Sequence, residues 1–199
     1  MSLEILFDKS AIEAMIANYG ATDKQARKAA VSALRKLRKN VQTLVKRQVA
    51  KKENIPQKAL NKRIYGSKVD DDAVLTIWVG TKDVMPHQIG NPVQNAKGVK
   101  VGRYRAWTGV FIANPFRSGE AVWIRMSSKH YTPALYPSAD WRAKVPGKQG
   151  NRFPVVKVGV PIEESVAEVI EGNQQEIMDL FMRRLDQELN YYVNVRGRS

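Results

Sequence analysis

The stretch Thr22–Ala50, TDKQARKAAVSALRKLRKNVQTLVKRQVA, sets the frame for the rest of this chain. It contains no Gly or Pro. Thr22 or Asp23 offers an N-cap oxygen, and Gln25 follows Thr22 at the spacing of a capping box. Ala30, Leu34, Leu37, Val41 and Leu44 recur in steps of four and three, with Ala33, Val45 and Val49 widening the stripe. The pattern predicts one helix, a rod of roughly 40–45 Å at 1.5 Å per residue. Arg27, Lys28, Arg35, Lys36, Arg38, Lys39, Lys46 and Arg47 occupy the remaining circumference as a basic face. A seam this narrow on so long a helix predicts a rod that stands largely exposed or packs against another chain.

Working outward, the chain has 199 residues, which sets one domain as the expectation over 1–199, with 1–21 as a lead-in and 191–199 as a flexible tail. Its net charge of +14 is unevenly placed. Residues 24–68 alone carry +14, residues 69–160 carry +7, and residues 161–190 carry −6. The chain thus has a basic N-terminal third and an acidic C-terminal segment, which can pair within one chain or between neighbouring copies, and a field of this kind steers partners. The absence of cysteine excludes disulfides, Cys-ligated metals and thiol chemistry. The opening Met1–Asp8 is too short and too acidic for a signal peptide, and no apolar run approaches the roughly 18 residues of a membrane span.

Beyond the long helix, Pro56 suits the first turn of a short one carrying Ala59, Leu60 and Ile64 to Gly66. Strand composition appears at Ala73–Val79, Trp107–Ala113, Ala121–Met126 and Phe153–Val160, with residues 114–120 as a hairpin loop. Pro161–Leu189 reads as a second long helix, with Ile162, Val166, Val169, Ile170, Ile177, Leu180, Phe181 and Leu185 on one face. Glu163 and Glu164 suit its positive end. Residues 80–105 and 127–152 remain as long Gly-, Pro- and Lys/Arg-containing loops, which in compact domains usually serve function. The fold class is therefore α+β: a long N-terminal helix, an antiparallel sheet of about four strands with long loops, and a long C-terminal helix.

Catalytic and metal signatures are scarce. His87 and His130 lack ligand-spaced partners, and Asp70-Asp71-Asp72 lacks the glycine and distal Glu of a calcium loop. Pro146-Gly147-Lys148-Gln149-Gly150 lacks the spacing of a phosphate loop, and neither GxSxG nor HExxH occurs. The expectation is a protein that is not an enzyme and uses no cofactor. Basic and aromatic residues interleave at Arg103–Trp107, Trp123–Arg125, Lys129–Tyr131 and Trp141-Arg142. Cations there can neutralise phosphates while rings stack on bases; equally, the rings can be sheet-packing residues with cations reaching past them to water. Arg103, Arg105, Lys129, Arg142, Lys144, Lys148 and Arg152, concentrated in the two long loops, are the candidate partner- or DNA-facing residues.

Taken in order, several segments resemble the minor tail protein Z family, the tail-completion proteins of lambdoid phages and prophages. They are ARKAAVSALRKLRKNVQTLVKRQVA at 26–50, IPQKALNKRI at 55–64, LTIWVGTKDVMPHQIGNP at 75–92, GVKVGRYRAWTGVFIANP at 98–115, and VWIRMSSKHYTPALYPSADWRAKVPGKQGNRFPVVKVGVPIEESV at 122–166. The resemblance implies a virion protein at the head-proximal end of the tail, made in the host cytoplasm, that acts beside the tail terminator in head–tail joining. It implies partners among tail and neck proteins, including the tail tube or head–tail connector, and a fold similar to neck and tail-tube proteins that assemble as rings of identical copies. Contact with the genome end is compatible with that place; a membrane is not expected. The family offers no active site to carry over.

Overall fold

A computed structural model describes residues 2–4, 9–69, 75–80, 82–114, 119–133, 135–136 and 155–196. The architecture is α+β, and the described chain forms two compact units. The first combines residues 1–52, 60–81 and 163–199; the second combines residues 53–59 and 82–162.

The first unit holds strand β1 (Ser2–Glu4), helix α1 (Lys9–Tyr19), helix α2 (Asp23–Lys52), strands β2 (Ile64–Val69) and β3 (Leu75–Val79), and helices α4 (Glu163–Gly172) and α5 (Gln174–Asn190). The predicted long helix is α2. Its start is the expected reciprocal cap: the Thr22 backbone N–H donates to Gln25 Oε1 at 2.9 Å, and the Gln25 N–H donates to Thr22 Oγ1 at 3.4 Å. Leu34, Leu37, Val41, Leu44, Val45 and Val49 are buried, as are Ala26, Ala29 and Ala33. Ala30 lies at the margin, only half-buried.

The rod does not stand apart. It packs along α5 and α4 and against β2 and β3, all within its own unit. The stripe closes on Ile177, Phe181, Leu185 and Leu189 of α5 and on Val166, Val169 and Ile170 of α4, all buried. The three alanines add buried surface without side-chain bulk, so the apolar face is wider than its large residues suggest. The predicted C-terminal helix is interrupted at Asn173, whose Nδ2 donates to the Val169 carbonyl at 2.5 Å and to Gln48 Oε1 of α2 at 3.0 Å. After α5, Tyr191–Val195 continue as a π-helical turn rather than leaving the helix at once.

The sheet of this unit has the antiparallel order β1-β3-β2, with Ser2 opposite Trp78 and Ile64 opposite Val79. The short helix expected after Pro56 is only a 3-10 turn, Gln57–Leu60. Ile64, assigned to that helix from sequence, begins β2 instead. A β-branched residue beside Tyr65 suits a pleated strand better than the end of a helix. Helix α1 and strand β1 were not anticipated; α1 buries none of its residues fully, so its pattern is weak.

The second unit holds helix α3 (Pro86–Ile89) and strands β4 (Pro92–Asn95), β5 (Gly98–Val101), β6 (Arg105–Thr108), β7 (Val110–Ala113), β8 (Ala121–Arg125) and β9 (Val155–Lys157). Two antiparallel sheets, β4-β5-β6 and β7-β8-β9, share a core of Val99, Val110, Val122, Ile124, Tyr136, Val156 and Val158. The expectation of one sheet of about four strands is thus corrected to three small three-stranded sheets across the described residues.

Two causes are visible. The predicted strand Trp107–Ala113 breaks at Gly109, where φ is +74°, and its halves enter different sheets. A Cβ there would lie 2.6 Å from the His130 ring, so position 109 requires glycine on both counts. Residues 80–105 are also not one irregular loop: Asn95 caps a tight β4–β5 hairpin by accepting from the N–H groups of Lys97 and Gly98 at 2.9 and 3.0 Å. Strand β9 covers only part of the predicted Phe153–Val160, whose last residue instead bridges Val84.

Candidate anion-binding face

Helix α2 carries eleven Lys or Arg and, after Asp23, no acidic residue. At 100° per residue the side chains at 28, 35, 39 and 46 fall within about 40° of one another, opposite the buried stripe. Lys28, Arg35 and Lys39 are exposed and Lys46 is half-buried, its Nζ donating to Asn61 Oδ1 at 3.3 Å. Arg47 is exposed and Arg38 half-buried on the flanks of this line.

Near the start of the helix, Arg27, Lys28, Val31, Ser32 and Arg35 form one wall of an open groove of about 510 Å³. Tyr192 and Arg196 complete it. The π-helical turn that carries them is tied to α2 by Gln25 Nε2, which donates to the Tyr192 carbonyl at 3.2 Å. The Arg196 guanidinium sits 5.9 Å from the centre of the Tyr192 ring, a cation–π distance. Three arginines and a lysine thus line one groove together with Ser32 and Tyr192. This assembly suits an anion: the guanidinium fork matches phosphate or carboxylate oxygens.

Other cations of α2 are spent inside the unit. Lys36 Nζ donates to Glu188 Oε1 of α5 at 2.5 Å, and Lys52 pairs with Glu168 of α4. Tyr19 Oη donates to Asp186 at 2.8 Å; this hydrogen bond, then burial and the nearby negative charge, hold the phenol above its usual pKa. The acidic C-terminal segment is therefore, at these positions, the counterpart of the basic helix within one chain.

The loop candidates separate in the same way. Arg103 is exposed, with its guanidinium 5.4 Å from the centre of the Tyr104 ring, and Lys129 is exposed. Arg105 is engaged: its Nη2 donates to Glu53 Oε2 at 2.7 Å, and its Nε donates to the Glu53 carbonyl at 2.8 Å. That pair borders a cleft of about 420 Å³ that also involves Trp107, His130 and Tyr136, whose phenol is pushed up by burial. Arg142, Lys144, Lys148 and Arg152 lie outside the described residues, as do Asp70–Asp72, Trp141 and Pro146–Gly150.

Rings interleaved with cations are largely packing groups. Trp123 is buried, its indole N–H donating to the Ala113 carbonyl at 2.9 Å, and Lys157 reaches over its ring at 5.5 Å. Arg125 stands 5.6 Å from the Phe111 ring, Trp107 packs on the core, and Tyr131 stacks on Tyr136. Trp123 is therefore not available to stack on a base.

Sequence reading assembled Arg27, Lys28 and Arg35 but missed Ser32, Tyr192 and Arg196. The signal was the apolar Tyr191-Tyr192-Val193 run directly after a helix, which argues against an immediate solvated tail. Among the described residues no group of three His, Asp or Glu is placed to hold a metal, and no helix is long and apolar enough to cross a membrane. Comparison with family models, curated proteins and solved structures finds no match.

Proposed function

We propose that this chain is a non-enzymatic structural protein of the head-proximal end of a phage tail, acting in tail completion and head–tail joining beside the tail terminator. The observation that carries the reading is the ordered run of segments between residues 26 and 166 that resemble the minor tail protein Z family. The helix–sheet–helix order of the first unit is compatible with the plan of neck and tail-tube proteins. On this reading the partners are the terminator, the tail tube or the head–tail connector, together with further copies of the chain in a ring. Its place is the virion, reached from the host cytoplasm during assembly.

Immunogold labelling of purified virions and free tails tests this. Label confined to the head–tail junction is the expected result; particles that blotting shows to lack the protein would overturn it.

A second reading, non-specific contact with the phage genome, is favoured by the line of cations on α2 and the groove beside it. The two readings are compatible, since a neck protein lies close to the end of the packaged DNA.

A further inference from the structure

We propose that the outward line of α2, Lys28, Arg35, Lys39 and Lys46, together with the groove closed by Tyr192 and Arg196, is a binding site for the phosphodiester backbone of duplex DNA. This rests on the second reading above and gives it an address. The line runs along 18 residues of helix, roughly 27 Å, and duplex DNA presents a charge about every 1.7 Å of its axis. A straight cationic rod of that length therefore meets a surplus of phosphates wherever it is laid. The groove supplies what a line of lysines lacks: Arg35 and Arg196 line it with Ser32, offering guanidinium forks and a hydroxyl donor for the two non-bridging oxygens of a backbone phosphate.

Charge balance favours a nucleic acid over a second copy of the chain. Two carboxylates of the acidic segment, Glu168 and Glu188, are already drawn on internally by Lys52 and Lys36. Each copy also brings +14, so contact between copies leaves the net charge per copy unchanged, whereas a polyanion lowers it. The contacts proposed for the line and the groove are to phosphates and not to base edges. The site therefore takes DNA without regard to sequence.

The test uses the full chain and two unrelated fluorescein-labelled duplexes of about 30 bp, roughly three turns. Fluorescence anisotropy is read across a series of salt concentrations. The line with Arg196 offers five cations, so log K is expected to fall against log[salt] with a slope of about −4 to −5, equally for both duplexes. The triple variant Lys28→Gln/Arg35→Gln/Arg196→Gln should bind at least tenfold more weakly at low salt, with the slope reduced by about 2–3. Circular dichroism should show its helix content and melting unchanged. The pair Arg103→Gln/Lys129→Gln in the second unit should leave both affinity and slope nearly intact.

If the parent chain binds both duplexes and the triple variant binds equally well, the site is wrong while DNA contact survives. If the parent chain binds neither duplex at low salt, the DNA reading fails and the site with it. Sedimentation that then shows self-association, lost in the triple variant, would reassign the face to contact between copies.

Discussion

The two long faces of α2 differ in what answers their side chains. On one, Leu34, Leu37, Val41, Leu44 and Val45 are sealed against α4 and α5, and at its edge Lys36 finds a carboxylate on the neighbouring helix. On the other, Lys28, Arg35 and Lys39 project to solvent from a helix with no acid after Asp23. A single helix therefore carries two unlike faces that its composition alone does not separate. The first face holds a unit together by burial and by charge matched inside the chain; the second presents its charge to solvent. Net charge measures the sum, and only packing divides it.

The inner face should carry most of the stability. Leu37 is wholly buried, so Leu37→Ala removes its transfer energy and leaves a cavity. The expected cost is about 3 kcal/mol, read as a loss of melting temperature in calorimetry. A change below about 1 kcal/mol would mean that α2 does not seal against α5.

Next comes the ionic edge. The Glu188 side chain is only 7% exposed, while that of Lys36 is 56% exposed. Solvent thus screens one partner but barely reaches the other. Lys36→Gln strands a nearly buried carboxylate and should cost about 1–2 kcal/mol, less than for a fully buried pair because the lysine is half in water. Adding Glu188→Gln should restore part of that loss, since two amides can satisfy one another. Denaturant titration of the single and double variants distinguishes this from simple loss of packing.

The cap at the start of the helix should matter somewhat less. Thr22→Ala removes the side-chain acceptor for the Gln25 N–H and should cost about 1 kcal/mol, visible as greater amide exchange in the first turn of α2. Smallest of all is the outer face. Lys28→Gln/Arg35→Gln should change stability by less than about 0.5 kcal/mol, because neither side chain is buried. That pair of variants sharpens the contrast: a face that contributes little to folding should contribute strongly to polyanion binding.

Periodicity made α2 legible down to its capping box, because a long stripe of apolar residues repeats often enough to outweigh local ambiguity. The same held for most of α4 and α5, where only the interruption at Asn173 escaped notice. The second unit was legible only in fragments. Its strands run three to five residues, too short for alternation to register, and Gly109 splits one predicted strand between two sheets.

The candidate site shows the same division. Arg27, Lys28 and Arg35 could be placed on one stretch of helix from spacing alone. Tyr192 and Arg196 come from 157 or more residues downstream of Arg27, Lys28 and Arg35, and only the return of the chain along α5 brings them there. Arg105 illustrates the converse: its place among loop cations said nothing of Glu53, which engages it.

The division of charge can be tested by zero-length carbodiimide cross-linking of an equal mixture of unlabelled and ¹⁵N-labelled full-length chains, followed by peptide mass spectrometry. The expected result is Lys36–Glu188 and Lys52–Glu168 cross-links in which both peptides carry the same isotope label. Cross-links between these pairs with mixed labels would contradict it, because the basic helix would then be answering the acidic helix of a neighbour rather than its own.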